Sequence, residues 1–210
     1  MTCEKLKIAI SLRLSLAQNY SEKRDALSRD WPIFIEKLGG IPLLVPNSIK
    51  NINDFLIEIK PDAIILSGGE NLGENQERDT TESHLIKYGI ENKLPIFGVC
   101  RGMQIMNHYF GGSVTTTNDK KHVGKSHNIQ INDSRLDTSN EIIVNSYHDN
   151  VIHKTDLSPD FDILAENQND KTIEALIHKK FPIVGVMWHP ERDQNKFNLK
   201  LVESVLKNDF

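Results

Sequence analysis

Short apolar runs alternate with longer amphipathic stretches through the first half of the chain. The short runs are rich in isoleucine, leucine and valine, and they predict strands at residues 7–12, 41–45, 63–66 and 96–99. The stretches between them repeat apolar residues near helical spacing and predict helices at residues 22–38, 53–60, 81–92 and 101–110. Pro32 predicts a kink or a local restart in the first of these helices. Strands that alternate with helices predict a parallel sheet covered on both faces.

The pattern changes after residue 112. Strand-like runs now follow one another without intervening helices, at residues 141–146, 162–166, 172–178 and 183–188. Asn169 and Asp170 predict a hairpin turn, and residues 113–140 are polar and predict loops. We therefore predict one α/β domain over residues 1–210, with a doubly wound, mostly parallel sheet and a small antiparallel extension in its C-terminal half.

The composition of the chain excludes several classes of protein. Twenty-five basic against 29 acidic residues give a net charge of −4, and without a basic run a nucleic-acid or membrane surface is not expected. The apolar runs are too short to span a bilayer, and the polar N-terminus predicts no secretory signal. Two cysteines, Cys3 and Cys100, provide neither a disulfide framework nor the spacing of a structural zinc site. These features predict a reduced cytoplasmic compartment, with Cys3 inert.

Cys100 stands at the junction between the strand at residues 96–99 and the helix that follows. Gly98 and Gly102 flank it, and small residues are needed there because strand and helix backbones pass close together. A thiol at a helix N-terminus also lies near the positive end of the helix dipole, which favours the thiolate form. Cys100 is therefore the candidate nucleophile, and a buried structural cysteine is the alternative.

A candidate base for this thiol lies at the end of the last apolar strand. His189 precedes Pro190, so it is held in extended geometry, and alternate residues of an extended segment face the same side. Glu191 can therefore hold one imidazole nitrogen while the other faces the thiol. Active sites of doubly wound sheets collect at the carboxyl ends of strands, where Cys100 and His189 are both expected to lie.

Together these segments resemble the class I glutamine amidotransferase superfamily. The resemblance is carried by Gly98-x-Cys100-x-Gly102-x-Gln104 and His189-x-Glu191. Segments at residues 100–104, 145–148 and 185–191, with Arg78-Asp79-x-x-Glu82, are similar to the free-standing γ-glutamyl hydrolase branch of peptidases. Amidotransferase subunits more often carry leucine at the position of Arg101. The resemblance covers residues 7–205 and implies a flavodoxin-like fold.

The resemblance also implies roles for further residues. Backbone N–H groups of Gly69 and Arg101 would form the oxyanion hole. The substrate would be held by Gly68, Gln104, Ser146, Tyr147 and His148. No metal or cofactor is implied, and the other histidines show no ligand spacing and are expected to be structural or solvated. These are His84, His108, His122, His127, His153 and His178.

The implied reaction is a double displacement on a small-molecule γ-glutamyl amide. Cys100 would attack the amide carbonyl, His189 would protonate the leaving nitrogen, and water would hydrolyse the γ-glutamyl thioester. A glutaminase subunit that serves a synthase partner and a non-catalytic binding module are the alternatives. The intact set of Cys100, His189 and Glu191 disfavours the second. The sequence leaves the oligomeric state open, with a homodimer among the possibilities.

The leaving group is the least constrained part of the interpretation. Members of this branch act on γ-glutamyl-γ-aminobutyrate, on folate polyglutamates, or on γ-glutamyl-CDP-amidate in capsule biosynthesis. The last needs cations at the pocket mouth, for which Arg13, Arg24, Arg29 and His127 are candidates, with Arg13 first. A composition rich in isoleucine, asparagine and lysine, typical of AT-rich bacterial genomes, also favours the nucleotide conjugate.

Overall fold

The computed structural model describes residues 5–117, 122–133, 135–136 and 142–210. Its strands are β1 (Leu6–Ser11), β2 (Arg13–Leu16), β3 (Lys23–Ala26), β4 (Gly40–Val45), β5 (Ala63–Leu66), β6 (Ile96–Val99), β7 (Thr115–Thr116), β8 (Val123–Ile131), β9 (Ile142–Tyr147), β10 (Asn150–Val151), β11 (Phe161–Asn167), β12 (Ile173–His178) and β13 (Ile183–Val186). Its helices are α1 (Asp30–Lys37), α2 (Ile52–Ile59), α3 (Gln76–Asn92), α4 (Arg101–Tyr109) and α5 (Lys196–Leu206).

A nine-stranded sheet runs through the described part of the chain in the order β4-β1-β5-β6-β13-β12-β11-β8-β9. The first five strands are parallel, in the order of a flavodoxin-like sheet, and the remaining four are antiparallel. Two apolar clusters cover the sheet, one packed with α1 and α5 and the other with α2, α3 and α4. The predicted doubly wound fold with an antiparallel extension is confirmed.

Two glycines let α4 pack directly on the ends of the parallel strands. A Cβ atom at Gly102 would lie 2.1 Å from the Leu66 carbonyl oxygen, and one at Gly98 would lie 2.8 Å from the Gly102 carbonyl oxygen. Both obstacles are backbone atoms, which cannot move aside as a flexible side chain could. The spacing of these glycines therefore fixes how closely α4 approaches β5 and β6.

We expect Gly102→Ala to lower the free energy of unfolding by about 1–3 kcal/mol or more, because the added methyl group overpacks a junction of backbone atoms. Urea unfolding of the variant and of His108→Ala measures this. His108 is an exposed residue of the same helix, so His108→Ala should stay close to wild type. Equal stability of the two variants would show that α4 does not pack as closely as described.

The helix predicted at residues 22–38 is wrong in its first part. Residues 23–26 form β3, which pairs with β2, and α1 begins only at Asp30. Pro32 lies in the first turn of α1, where a backbone N–H has no intrahelical partner, so it marks the start of a helix, as the restart alternative predicted, rather than a kink within one.

Other boundaries also differ from the sequence-based prediction. The polar segment at 113–140, which the sequence indicates only as rich in loops, contains β7 and β8 among its described residues, and the sequence does not predict α5. α3 begins at Gln76 rather than near Thr81, because the side chain of Asn75 caps it by accepting a hydrogen bond from the Arg78 N–H. The predicted hairpin turn at Asn169 and Asp170 is confirmed between β11 and β12.

Some predictions fall outside the described residues. Cys3 and the first residue of the strand predicted at 141–146 are among them. Within the described ranges, we find no helix that is both long and apolar enough to span a bilayer.

Candidate active site

Cys100 occupies a sharp turn between β6 and α4. Its backbone φ is +52°, a conformation that side chains other than glycine rarely adopt, and its N–H donates a hydrogen bond of 2.8 Å to the Val186 carbonyl. This bond ties the turn to the carboxyl end of β13. The strained turn presents the thiol at the carboxyl edge of the sheet, where the glycine spacing predicted it.

His189 and Glu191 follow β13 and lie at the same edge of the sheet. The His189 Nδ1 and Glu191 Oε1 atoms are 2.7 Å apart, and both side chains are buried. Burial lowers the pKa of His189, but hydrogen bonds to Cys100 and Glu191 outweigh this effect and raise the pKa to about 9. The imidazole therefore lies beside Cys100 with its other side bonded to the carboxylate, and the raised pKa favours its protonated form at neutral pH.

Asn145 of β9 fixes the backbone of His189. Its side-chain amide donates to the His189 carbonyl at 2.9 Å and accepts from the His189 N–H at 2.8 Å. Two opposed hydrogen bonds leave the His189 peptide little freedom to rotate. Asn145 lies in the segment at residues 145–148 that carries part of the family resemblance, but nothing in the local sequence indicates that it positions His189.

The turn after β5 brings a third backbone segment to the thiol. Arg78 donates to the carbonyl oxygens of Ser67 at 2.7 Å and of Gly68 at 3.2 Å. In a trans peptide the following N–H points opposite the carbonyl, so the Gly69 N–H points away from Arg78. A Cβ atom at Gly68 would lie only 2.7 Å from the His189 Cε1 atom, so glycine is needed for the imidazole to fit.

A network of buried ion pairs lies next to the turn after β5. Arg78 pairs with Glu82 at 3.0 Å and with Glu70 at 2.8 Å, and the Arg101 guanidinium pairs with Glu82 and Asp79. These ion pairs therefore hold the Arg101 side chain away from the thiol. Its backbone N–H, in the first turn of α4, needs no helical partner and is the part of Arg101 that can serve the site.

One cavity gathers most of the predicted site residues. The predicted residues that line it are Arg13, Gly68, Gly69, Cys100, Tyr147, His189 and Glu191. Four others do not line this cavity as the described residues form it. These are Arg101, Gln104, Ser146 and His148.

The side chains outside the cavity have other contacts. Gln104 Nε2 lies 3.6 Å from the Met187 sulfur, and Ser146 Oγ donates to the His122 carbonyl at 2.5 Å. Burial lowers the pKa of His148 to about 3, with the charges of neighbouring histidines adding to the effect, so the side chain is neutral. Binding of substrate by these side chains stays a prediction.

The cations at the cavity mouth differ from those predicted. Arg13 borders the cavity, whereas Arg24 pairs with Glu22 at 2.5 Å, and neither Arg24 nor Arg29 is among the described lining residues. Arg192, which was not predicted, also lines the cavity, and its guanidinium lies 4.4 Å from the centre of the Tyr147 ring. Its position directly after the His189-Pro190-Glu191 segment is the feature of the sequence that could have indicated this.

Comparison with known proteins identifies relatives across nearly the whole chain. The family model described as glutamine amidotransferase class-I matches residues 36–208. A γ-glutamyl-CDP-amidate hydrolase of Campylobacter jejuni is 31% identical over 93% of this chain and 95% of its own. Component 2 of anthranilate synthase from Saccharolobus solfataricus is 30% identical over 82% of this chain and 88% of its own.

A solved structure shows the same fold. A glutamine amidotransferase from Thermotoga maritima superposes with a TM-score of 0.68 over 98% of both chains, at 14% sequence identity. At this identity the likeness concerns architecture, and it agrees with the flavodoxin-like order of the parallel strands.

Proposed function

The chain belongs to the class-I glutamine amidotransferase family, and from this premise we propose that it hydrolyses γ-glutamyl amides with Cys100 as the nucleophile. One observation carries the proposal. The imidazole of His189 is hydrogen-bonded to the Glu191 carboxylate and lies beside Cys100 in a cavity that the Gly68 and Gly69 turn also lines. This is the arrangement that activates a thiol beside groups able to stabilise an oxyanion.

The first half of the proposed reaction transfers the γ-glutamyl group to the enzyme. The Cys100 sulfur, whose proton resides on His189, attacks the amide carbonyl, and the N–H groups of Gly69 and Arg101 stabilise the charge on its oxygen. His189 gives its proton to the departing nitrogen, the C–N bond breaks, and a γ-glutamyl thioester remains on Cys100. Glu191 keeps the imidazole oriented and stabilises its positive charge.

The second half returns the enzyme to its starting state. Water enters where the leaving group was, and His189, now neutral, accepts a proton from it as it attacks the thioester carbonyl. The C–S bond breaks, glutamate leaves, and the proton on His189 restores the initial pair with the Cys100 thiolate. The products are glutamate and the free amine or amide.

Glutamate release from purified protein tests this proposal against the glutaminase-subunit alternative. The substrates are glutamine, γ-glutamyl-γ-aminobutyrate and γ-glutamyl-CDP-amidate, each supplied without a partner protein. We expect release from a γ-glutamyl conjugate to exceed release from glutamine. Weak release from all three would instead favour a subunit that depends on a synthase partner.

For the leaving group, we propose the nucleotide conjugate γ-glutamyl-CDP-amidate, as in capsule phosphoramidate synthesis. Two basic residues, Arg13 and Arg192, line the cavity that holds the Cys100 side chain. A diphosphate that projects from the γ-glutamyl group would meet them there. The Campylobacter jejuni relative, which is named for this substrate, matches this chain over 95% of its own length. γ-Glutamyl-γ-aminobutyrate, which lacks phosphates, is the alternative.

We expect Arg13→Ala to lower kcat/KM for γ-glutamyl-CDP-amidate by about ten- to a hundredfold, because a charge-assisted contact to phosphate contributes roughly 1.5–3 kcal/mol. The same variant should hydrolyse a small γ-glutamyl anilide at nearly the wild-type rate. Arg24→Ala is the matched control, since Arg24 lies on β3 and pairs with Glu22. Equal losses on both substrates would show that Arg13 supports the glutamyl site instead.

A further inference from the structure

Behind the candidate active site lies a second group of buried titratable side chains. His122, His127 and Glu174 each place one potential ligand atom within 4.8 Å of the others, and among the described residues no other metal-binding group of this kind occurs. The fourth member, His148, stacks on His122 with ring centres 4.8 Å apart, and its Nε2 lies 3.9 Å from Glu174 Oε1. None of the four lines the cavity that contains Cys100.

Two irregularities in the sheet bring these side chains together, which is why sequence spacing does not reveal them. His122 and His127 are five residues apart, an odd separation that would place them on opposite faces of a regular strand. A register shift between Val123 and Lys125, with Gly124 at φ +66°, inserts one extra residue and restores a common face. Glu174 is itself the unpaired residue of a second bulge, in β12.

Several polar atoms of this cluster lack a hydrogen-bond partner among the described residues. Within the described chain no hydrogen-bond partner exists for His122 Nδ1, for Nε2 of His127 and His148, or for either oxygen of Glu174. Glu174 is fully buried, and its Oε1 atom lies 3.2 Å from His127 Nε2. A buried carboxylate surrounded by imidazole nitrogens requires a cation or a proton among them.

The opposite side of two of the rings has the partners that orient metal ligands. His122 Nε2 lies 2.8 Å from a carboxylate oxygen of Asp170, and His148 Nδ1 lies 2.8 Å from the Asn150 carbonyl oxygen. Both partners only accept hydrogen bonds, so each ring carries a proton on that side. His122 Nδ1 and His148 Nε2 are therefore the atoms available to a metal, as in sites where an outer carboxylate or carbonyl orients the histidine ligand.

We propose that His122, His127 and Glu174, with His148 as the fourth ligand, bind a divalent transition-metal ion of the zinc class. Three imidazole nitrogens and one carboxylate are a tetrahedral zinc donor set, whereas magnesium and calcium require mainly oxygen ligands. The ion would join β8, β12 and the turn after β9. Tyr147, the last residue of β9 before that turn, lines the cavity, and Ser146 is already bonded to the His122 carbonyl. The metal would thus stabilise the wall of the cavity to which Tyr147 belongs.

Titration of tag-free, chelator-treated protein with Co²⁺ tests this site independently of activity. We expect one equivalent to bind, with the intense visible bands of tetrahedral cobalt, and Zn²⁺ to displace it. Glu174→Gln and His127→Ala should each weaken binding by about tenfold or more. His108→Ala, at an exposed histidine, and Cys100→Ser should bind as wild type does.

Several results would overturn the proposal. Wild-type protein that binds no Co²⁺, or that gives only weak octahedral bands, would show that a proton rather than a metal occupies the cluster. Bands from thiolate coordination that disappear in Cys100→Ser would place the metal at the active site instead. Equal affinity in wild type, Glu174→Gln and His127→Ala, with circular dichroism showing all three folded, would exclude these ligands.

Discussion

Replacing Cys100 by serine is expected to reduce γ-glutamyl hydrolysis by more than about 100-fold, because the hydroxyl group is a far weaker nucleophile at neutral pH than a thiolate. The side chain lies in a cavity and the substitution changes little volume, so the fold and the thermal midpoint should be retained. Glutamate release and thermal unfolding, measured on the same preparation, check the two parts of this prediction.

Cys3→Ser is the matched control for this variant. It makes the same chemical change at a residue that the proposed reaction does not use, so its activity should equal that of wild type. A different result would contradict the assignment of Cys100 as the nucleophile. In that case Cys100→Ser would retain more than a hundredth of wild-type activity while Cys3→Ser lost activity.

Replacing Glu191 by glutamine is expected to lower kcat by about 10²- to 10⁴-fold, since an amide can neither fix the tautomer of His189 nor stabilise its positive charge. The Glu191 Oε1 atom is 2.7 Å from His189 Nδ1, and this hydrogen bond is one cause of the raised pKa of His189. The variant should therefore also change the pH dependence of kcat/KM.

The direction of the pH change follows from the raised pKa. His189 holds its proton below about pH 9 in the wild-type protein and loses it above that pH. Without the Glu191 carboxylate the pKa of His189 falls, so the alkaline limb of kcat/KM should move to lower pH. Glu58→Gln, at an exposed position of α2, should leave the rate and the limb unchanged. An unshifted limb in Glu191→Gln would contradict the assignment of that limb to His189.

Features that depend on local spacing were predictable from the sequence. Gly98 and Gly102 indicated a strand-to-helix turn because close backbone packing excludes larger side chains, and the structure shows both contacts. Likewise, the extended geometry before Pro190 placed His189 and Glu191 on one side, where they form a hydrogen bond. In both cases the residues that act together are near neighbours in the chain.

Features that depend on distant contacts were not predictable. The two hydrogen bonds between the Asn145 side chain and the His189 backbone join β9 to the segment after β13. The local sequence of neither segment indicates that the two residues meet. The polar segment that forms β8 lacks a strong alternating pattern because most of its side chains are exposed or half-buried. Strand pairing with β9 and β11, rather than intrinsic propensity, makes it a strand.

The covalent γ-glutamyl intermediate on Cys100 is tested most directly by trapping it with hydroxylamine. Hydroxylamine competes with water for the thioester, so each turnover yields either glutamate or γ-glutamyl hydroxamate. If one thioester is common to all substrates, the ratio of these two products must be the same for glutamine, γ-glutamyl-γ-aminobutyrate and γ-glutamyl-CDP-amidate. A ratio that changes with the leaving group would contradict the account, because water would then attack the substrate before any common intermediate had formed.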